Sequence, residues 1–332
     1  MGSLRRARRF LLGLDNVVGV GVGYKEVGGE PTAHLGVTVL VRRKVATRDL
    51  HPRHHVPYRL GQVATDVVEV GDLRFLSRTD RVRPLVPGVS IGHWQVSAGT
   101  LGAVVRDKRT GELMILSNNH VLANSTDGRD GRARKGDPIR QPGTYDGGTE
   151  ADTVAHLERF VPLFRAGPSS LASCPVARRV EKIADRLVAG LRSSYGVHIY
   201  PRRSRENVVD AAVARPLPGI SLEPTVLGVG RVTGTAEPEI GLEVMKSGRT
   251  TGLTQGRLRV MHAVVRVAVS DTEWAFFTKQ LVFTAIGAPG DSGSLIVTPE
   301  GAAVALLAAG SDRATIASDI RRVLELLDVE LA

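Results

Sequence analysis

The sequence contains little of what would cross-link a chain, anchor it in a membrane or stack it on nucleic-acid bases. Cys174 is the single cysteine among 332 residues, so no disulfide can form within the chain. Aromatic residues make up only 4%, which leaves few rings on which bases could stack. No apolar run approaches the roughly 20 residues that a membrane-spanning helix needs. The 42% of hydrophobic residues and the 37 glycines instead predict a folded protein with many short strands and tight turns.

The net charge of +10 is unevenly distributed along the chain. Residues 1–60 carry eleven Arg and Lys against four Asp and Glu, and a basic surface of this kind can bind nucleic acid or an acidic protein. The whole chain, however, uses 37 Arg and only 7 Lys, which indicates a compositional bias and favours a solvated basic face. We therefore do not expect nucleic-acid binding, and salt-dependent binding to DNA would contradict this expectation.

Residues 1–85 are predicted to form a separate, small α+β module. Its start, residues 4–12, is basic with a short apolar continuation and lacks the core and cleavage site of a signal peptide. This pattern predicts an amphipathic helix that ends near Asn16. Alternating apolar residues predict three strands, with a Gly28-Gly29 hairpin turn between the first two. The predicted strands are residues 17–24, 33–41 and 63–70.

Two features of this module could suggest a cofactor or a metal, and neither is well formed. Gly19, Gly21 and Gly23 have GxGxG spacing with no helix after them, unlike a dinucleotide-binding loop. The HPRHH cluster at residues 51–55 contains no cysteine or acid that would complete a metal site. We therefore expect no cofactor and no bound metal.

Residues 88–332 are predicted to be mainly β, after a linker at residues 78–87. Short apolar runs follow one another at turn-rich intervals, and residues 165–206 interrupt them with a helical pattern at 180–191. Three roles stay open for this insertion: it could shape the rim of a cleft, make a contact in a homo-oligomer, or simply pack on the surface. The last segment, residues 316–331, has helical periodicity.

The sequence Pro-Gly-Asp-Ser-Gly-Ser at residues 289–294 is the most informative motif. Ser292 follows an acid and lies between two glycines, which let backbone N–H groups point at a developing oxyanion with no Cβ in the way. Alone, such a string is ordinary turn chemistry. It becomes specific only together with a general base and an acid elsewhere in the chain.

The chain offers one histidine and one aspartate in the context that a nucleophilic serine needs. Of nine histidines, only His120 ends an apolar strand after small polar residues. Asp210 opens the run DAAVA, whose small apolar residues suit a buried carboxylate. Its rivals are Asp185, which lies on the helical insertion, and Asp152, which starts a more polar run. The order His, Asp, Ser is one of the three known for this constellation.

With these segments, residues 88–328 resemble the bacterial chymotrypsin-type (trypsin-like) serine endopeptidases. The strings LSNNHVLAN, KSGRTTGLTQG and GAPGDSGS are similar to a single-chain subgroup that includes the plant narrow-leaf trypsin-like proteins. The resemblance implies a double antiparallel β-barrel of six strands each, with the candidate triad in the cleft between the barrels. A C-terminal helix also matches that family.

The resemblance also implies roles for individual residues. His120 would be the general base, Asp210 the acid that orients it, and Ser292 the nucleophile. The backbone N–H groups of Gly290 and Ser292 would form the oxyanion hole. Asp291 would pair with Arg249 of the Gly-Arg-Thr-Thr-Gly segment, which replaces the amino terminus that is freed in zymogen-derived members.

By the same pattern, the substrate pocket has Ile286 at its base and the strand 308–311 as its wall. The wall residues named by this comparison are Ala308, Ala309 and Gly310. With no carboxylate at the base, cleavage after small or medium apolar residues is expected, and an acidic preference stays open. Ala308 stands where the family usually has a serine that touches the triad acid, which leaves the support of Asp210 in question.

The function that the sequence predicts is hydrolysis of protein or peptide substrates through an acyl-enzyme. Two alternatives are a catalytically silent scaffold of the same fold and a protein-binding module, although all three candidate triad residues are present. Because secreted members usually carry disulfides, the single cysteine favours a cytoplasmic protein.

Overall fold

The computed structural model describes residues 8–27, 30–71, 77–96, 98–168, 174–200 and 205–332. The chain divides into two compact units, Met1–Leu76 and Ser77–Ala332. The predicted Gly28-Gly29 turn, the first basic residues of the predicted N-terminal helix, and Ser97 lie outside the described residues. Among the helices of the described ranges, none has the length and apolar character to cross a membrane.

The N-terminal unit is a four-stranded sheet with a short helix at residues 8–12. Its strands are β1 (Val17–Val27), β2 (Glu30–Val41), β3 (Arg59–Leu60) and β4 (Val63–Glu69). They lie in the order β1-β2-β4-β3, with β2 and β4 parallel and the other pairs antiparallel. Leu11 and Leu14 pack on Val39 and Val41 of β2, so the unit has a core and the predicted α+β composition.

The second unit, residues 77–332, is built mainly of short strands. They are β5 (Ser90–His93), β6 (Gly99–Thr100), β7 (Ala103–Asp107), β8 (Leu113–Ser117), β9 (Pro138–Arg140), β10 (Thr153–Phe160), β11 (Glu206–Asn207), β12 (Ala212–Pro216), β13 (Thr225–Val226), β14 (Gly230–Arg231), β15 (Gly234–Thr235), β16 (Glu243–Gly248), β17 (Gly252–Ala268), β18 (Trp274–Phe283), β19 (Leu295–Val297), β20 (Ala302–Gly310), β21 (Thr315–Asp319) and β22 (Val329–Leu331). Its α-helices are Asn119–Leu122, Pro175–Leu191 and Ile320–Leu327.

Six strands of this unit form a first closed barrel. Strands β7, β8, β12, β10, β9 and β5 pair in this order, each antiparallel to the next. The ring closes through residues 99–102, because β6 pairs with β5 and the N–H of Gly102 donates to the carbonyl of Leu116 in β8 at 2.9 Å. Closure leaves these strands without free edges.

A second barrel closes without any intervening segment. Strands β16, β17, β18, β21, β20 and β19 pair antiparallel in a ring, and β19 pairs back with β16. The double antiparallel barrel expected from the sequence is therefore confirmed by the strand pairing itself.

The alternation of side chains along β8 shows how the two barrels share a core. Ile115 points to the interior of the first barrel, as expected from the two-residue period of a strand. Its neighbours Met114 and Leu116 pack on the other side, in a cluster that includes Leu306 of β20 and Val323 of the C-terminal helix. One strand thus ties the first barrel to the second barrel and to the helix.

Residues 78–87, expected to be a linker, belong to the second unit. Leu85 is fully buried among the residues of the first barrel, and its N–H donates to the carbonyl of Ser221 at 2.9 Å. The guanidinium of Arg78 donates to the hydroxyl of Ser247 at 2.6 Å. The boundary between Leu76 and Ser77 is accordingly earlier than the expected one near residue 85.

The two longer helices of this unit differ in their packing. The insertion helix Pro175–Leu191 covers the predicted segment and has no buried residue. The C-terminal helix Ile320–Leu327 buries Ile320, Val323 and Leu327. It is shorter than the helical pattern at residues 316–331, because the flanking residues pair as strands β21 and β22.

Candidate active site

His120 lies on the short helix that follows β8, and two asparagines hold this helix in place. The side chain of Asn118 donates to the backbone carbonyl of Asp210 at 2.7 Å. The side chain of Asn119 donates to the carbonyls of Val161 and Thr126 at 2.7 and 3.0 Å. Both asparagines are fully buried, so the Asn-Asn-His string fixes where His120 stands.

His120 and Asp210 form a close pair. Nδ1 of His120 lies 2.5 Å from Oδ2 of Asp210, and the backbone N–H of His120 donates to Oδ1 at 3.2 Å. The Asp210 side chain is only 4% exposed. Burial acts to lower the pKa of His120, but the charge and hydrogen bond of Asp210 outweigh it and raise that pKa above its ordinary 6.5. The arrangement fixes the ring and leaves Nε2 available.

Ser292 lies on the same cleft as His120 and Asp210. Its hydroxyl donates to the carbonyl of Ala308 at 3.3 Å, and its own carbonyl accepts from the N–H of Thr100 at 2.8 Å. The following residue, Gly293, has φ +92°. A Cβ there would lie 2.1 Å from the hydroxyl of Ser117, so both the backbone conformation and the close approach require glycine.

Residues 289–294, which we call the serine turn, contain three successive carbonyls that accept hydrogen bonds from hydroxyl groups. Thr250 donates to the carbonyl of Pro289 at 2.9 Å, and Thr100 donates to that of Gly290 at 2.9 Å. Ser294 donates to that of Asp291 at 2.6 Å. Because a trans peptide is planar, its N–H points opposite to its C=O. These bonds therefore set the directions of the intervening N–H groups.

The N–H groups of Gly290 and Ser292 make no hydrogen bond within the part of the chain that the structure describes. Gly290 has φ +98°, a conformation that glycine adopts without strain. Two unused N–H donors on either side of one residue can both donate hydrogen bonds to an oxyanion. The structure thus leaves free the two groups that the resemblance names.

Asp291 is paired with Lys246, and not with Arg249 as expected. Nζ of Lys246 lies 3.1 Å from Oδ2 of Asp291, and both side chains are fully buried. The hydroxyl of Thr251 donates to the same oxygen at 2.6 Å, and the N–H of Thr250 donates to Oδ1 at 2.8 Å. Burial alone would raise the pKa of Asp291, but these hydrogen bonds and the lysine charge hold it below its ordinary 3.8.

Arg249 pairs instead with Asp146, in the turn between β9 and β10. Its Nε donates to Oδ2 of Asp146 at 2.7 Å, and its Nη2 contacts Oδ1. The Arg249 guanidinium also lies over the ring of Tyr145, 5.3 Å from its centroid. The predicted Arg249–Asp291 pair is therefore wrong, although Arg249 does lie beside the serine turn.

The cleft has a volume of about 1020 Å³. Ala308, Ala309 and Gly310 lie along it, together with Leu163, Phe277 and Ile316. Ile286 does not line it: this side chain is 2% exposed and packs inside the second barrel. Its expected position at the base of the pocket is therefore wrong, and the residues after it, 287–289, line the cleft instead.

The other candidate residues have separate structural roles. The Asp152 side chain accepts from the N–H and hydroxyl of Thr149, and Asp185 accepts from the N–H of Val197. Cys174 is exposed, immediately before the insertion helix. In the described ranges, no group of three His, Cys, Asp or Glu side chains is placed to bind a metal ion.

Lys246 is the site residue that the sequence interpretation missed. In β16 the fully buried Lys246 alternates with Val244, which is also buried, so the two share the inward face of the strand. A lysine at an inward position of an apolar strand requires a buried acid as partner. This alternation is the sequence signal for the buried pair, whereas the family resemblance names Arg249 of the following Gly-Arg-Thr-Thr-Gly segment as the partner of Asp291.

No protein-family model matches the sequence, and no curated protein matches it. Among solved structures, the chain is similar to protease A of Thermobifida fusca, with 16% identity over 74% of this chain and 97% of that chain and a TM-score of 0.47. It is similar to a Nocardiopsis protease at 15% identity over 74% and 98%, with a TM-score of 0.47. A glutamic-acid-specific serine protease matches at 15% identity over 75% and 100%, also at 0.47.

Proposed function

We propose that the chain is a serine endopeptidase in which His120, Asp210 and Ser292 form the catalytic triad. The observation that carries the proposal is the 2.5 Å contact between His120 Nδ1 and Asp210 Oδ2 on a cleft that Ser292 also lines. A carboxylate that fixes the imidazole leaves Nε2 as the proton acceptor for a serine hydroxyl. The finer assignment to the subgroup similar to narrow-leaf trypsin-like proteins, and a cytoplasmic location, stay predictions from the sequence.

The proposed reaction uses these groups in two steps. Ser292 Oγ attacks the peptide carbonyl while His120 Nε2 takes the hydroxyl proton, and the resulting oxyanion accepts hydrogen bonds from the N–H groups of Gly290 and Ser292. The proton passes to the leaving amine, which leaves an acyl-enzyme for water to hydrolyse. Because the hydroxyl of Ser292 is bonded to the Ala308 carbonyl, its side chain must rotate towards His120 before it attacks.

For the substrate, we propose peptides with small or medium apolar side chains at the cleavage site. The small wall residues Ala308 and Ala309 and the apolar lining of the cleft support this preference. An acidic preference is the alternative, since Arg132 and Arg266 also line the cleft. A peptide-library profile distinguishes the two, and cleavage mainly after Lys or Arg would contradict both.

The test of function is labelling by a serine-directed fluorophosphonate, followed by peptide cleavage. Ser292→Ala is expected to abolish labelling and to lower kcat on the order of 10³-fold or more, with the fold intact. His120→Ala should behave alike, and the double variant should be little worse, because the triad acts as a unit. Ser221→Ala, at an exposed serine, is the matched control and should keep parental labelling.

The competing function is a silent scaffold that binds proteins without cleaving them. The orientation of the Ser292 hydroxyl towards Ala308 is the observation that favours it. A well-folded parent protein that neither reacts with the fluorophosphonate nor cleaves any peptide in the library would replace the proposed activity with this one.

A further inference from the structure

The peptide bond between Pro289 and Gly290 needs something outside the turn to hold it. Its N–H is one of the two proposed oxyanion donors, and rotation of this peptide would point the Pro289 carbonyl where the N–H should be. Gly290, at φ +98°, has no side chain to resist such a rotation. The orientation therefore depends on hydrogen bonds made by the peptide oxygen.

Thr250 supplies that bond. Its hydroxyl donates to the Pro289 carbonyl at 2.9 Å and accepts from Nη1 of Arg249 at 3.1 Å. Since a hydroxyl has one proton, a cation that donates to its oxygen leaves the proton directed at the carbonyl. Arg249 and Thr250 also lie against the turn: a Cβ at Gly290 would be 2.2 Å from Nη1 of Arg249 and 2.5 Å from the Thr250 hydroxyl.

Arg249 is itself anchored on the first barrel. Its side chain is 10% exposed and that of Asp146 is 7% exposed. Asp146 accepts a further bond from the hydroxyl of Ser90 in β5 at 2.5 Å, which fixes the carboxylate. The hydrogen bond that Arg249 donates to Asp146 raises the pKa of Arg249, so the guanidinium stays charged. A continuous series of hydrogen bonds thus connects Asp146, through Arg249 and Thr250, to the Pro289 carbonyl.

A second series of hydrogen bonds also starts at Arg249. The backbone N–H of Arg249 donates to the hydroxyl of Thr100 at 3.0 Å, and that hydroxyl donates to the carbonyl of Gly290 at 2.9 Å. Thr100 belongs to β6, where the first barrel closes. Both peptides on either side of Gly290 are therefore oriented by residues that join the first barrel to the loop between β16 and β17.

We propose that Thr250 is a positioning residue of the oxyanion hole, held in place by Arg249 and Asp146, and that the first barrel thereby sets the orientation of the Gly290 N–H. This inference rests on the proposed serine endopeptidase function. Because the bond is made to the turn and not to the substrate, it acts on the transition state more than on substrate binding.

The experiment compares Thr250→Val, Thr250→Ser and Arg249→Met with the parent protein. Removing an oxyanion donor outright costs about 10²–10³-fold in kcat, and losing only its orientation should cost less. Thr250→Val is expected to lower kcat roughly 10- to 100-fold with KM within about threefold, and to weaken binding of a peptide boronic acid by the same factor as kcat/KM. Thr250→Ser, which keeps the hydroxyl, should stay near parental values, and Arg249→Met should fall between them.

Two controls distinguish an effect of Thr250 on the orientation of the Gly290 N–H from an effect on the stability of the fold. Thr233→Val removes a hydroxyl that donates to another backbone carbonyl, that of Glu300 at 3.4 Å, and should change neither kcat nor boronate affinity. An uncleaved peptide should bind Ser292→Ala and Ser292→Ala/Thr250→Val equally, because the ground state does not use the hole. If Thr250→Val does not fold, Arg249→Met carries the same comparison.

The possible failures are distinguishable. If the parent reacts with fluorophosphonate and boronate, but Thr250→Val keeps the parental kcat and boronate affinity, this inference is wrong and the proposed function stands. It is also wrong if Thr250→Ser loses as much as Thr250→Val. If the parent reacts with neither probe, the proposed function is wrong and the inference with it.

Discussion

The protonation of His120 depends on two opposing influences. Burial favours the neutral ring, and the Asp210 carboxylate at 2.5 Å favours the protonated one. The carboxylate dominates, so the pKa of His120 lies above 6.5. A general base must be neutral to accept a proton. The proposed activity should therefore be absent at low pH and appear only as the pH rises through this raised pKa.

The pH profile of kcat/KM tests this directly, because it reports the pKa values of the free enzyme. We expect the acid limb of the parent protein to have a midpoint above 6.5. Asp210→Asn should move the midpoint downwards, because burial then acts unopposed, and should also lower kcat on the order of 10⁴-fold through the wrong tautomer. An unchanged midpoint in Asp210→Asn would contradict the assignment.

The buried ion pair of Lys246 and Asp291 is a second feature at the scale of single residues, and it affects stability. Both side chains are fully buried, and burial lowers the pKa of Lys246 from its ordinary 10.5, partly offset by Asp291. The pair stabilises the serine turn through the N–H of Ala288, which also donates to Asp291 at 3.0 Å. Removing one partner leaves an uncompensated charge in the core.

Lys246→Met is expected to lower the free energy of unfolding by about 3–5 kcal/mol. The double variant Lys246→Met/Asp291→Asn should recover much of this loss, since no buried charge remains. The matched control is Lys135→Met: this lysine is 70% exposed in its pair with Glu158, and such pairs contribute at most about 1 kcal/mol. Urea unfolding measures the free energy of unfolding of the three variants. Equal losses of this free energy for Lys246→Met and Lys135→Met would contradict the argument from burial.

At the scale of elements, two amphipathic helices show that the same pattern can have different energetic consequences. In the C-terminal helix the apolar face is buried against both barrels. In the insertion helix Pro175–Leu191 the apolar residues Ile183 and Leu187 are exposed. Only the first helix contributes hydrophobic burial to the stability of the described unit.

Substitutions on the two helices should therefore differ strongly. Leu327→Ala removes a side chain that is 1% exposed and should cost about 2–5 kcal/mol of unfolding free energy. Leu187→Ser, at an exposed position, should change it by no more than about 0.5 kcal/mol. Thermal or urea unfolding measures both changes. A large loss of unfolding free energy for Leu187→Ser would contradict this expectation and show that the apolar face of the insertion helix is covered in solution.

At the scale of the whole molecule, the position of the boundary between the units has consequences for truncation. Leu85 is fully buried in the first barrel, and Arg78 bonds to Ser247 and to the carbonyl of Gly88. A fragment that starts at residue 77 keeps these contacts, whereas one that starts at residue 88, where the sequence places the domain, loses them.

We expect the fragment 77–332 to fold and to label with fluorophosphonate. The fragment 88–332 should be less stable by at least the cost of one deleted buried leucine, about 2–5 kcal/mol. Urea unfolding and labelling of both fragments provide the measurement. Equal stability of the two would mean that residues 78–87 act as the linker that the sequence suggested.

Local sequence pattern was sufficient for most strands but not for their closure. Strands β1, β2 and β4 overlap the three segments of the N-terminal module in which alternation predicts strands. Asp210, which opens the run DAAVA in the sequence, lies between β11 and β12. Ring closure depends on pairs such as Gly102 with Leu116, whose hydrogen bond no local pattern encodes. The buried Ile286 shows a similar limit, because a position carried over from the family resemblance does not reveal whether the side chain faces a barrel interior or a cleft.

The sequence by itself determined the chemistry that is available: one glycine-framed serine, one histidine at a strand end, one aspartate before small apolar residues, and a mainly β chain without disulfides. These follow from residue type and short-range spacing. Only the tertiary structure decided which charges meet. Arg249 lies 42 residues before Asp291 and 103 residues after Asp146, yet it pairs with Asp146, while Lys246 takes Asp291. The reason is physical: ion pairing depends on distance and burial in the folded chain, and barrel closure sets both.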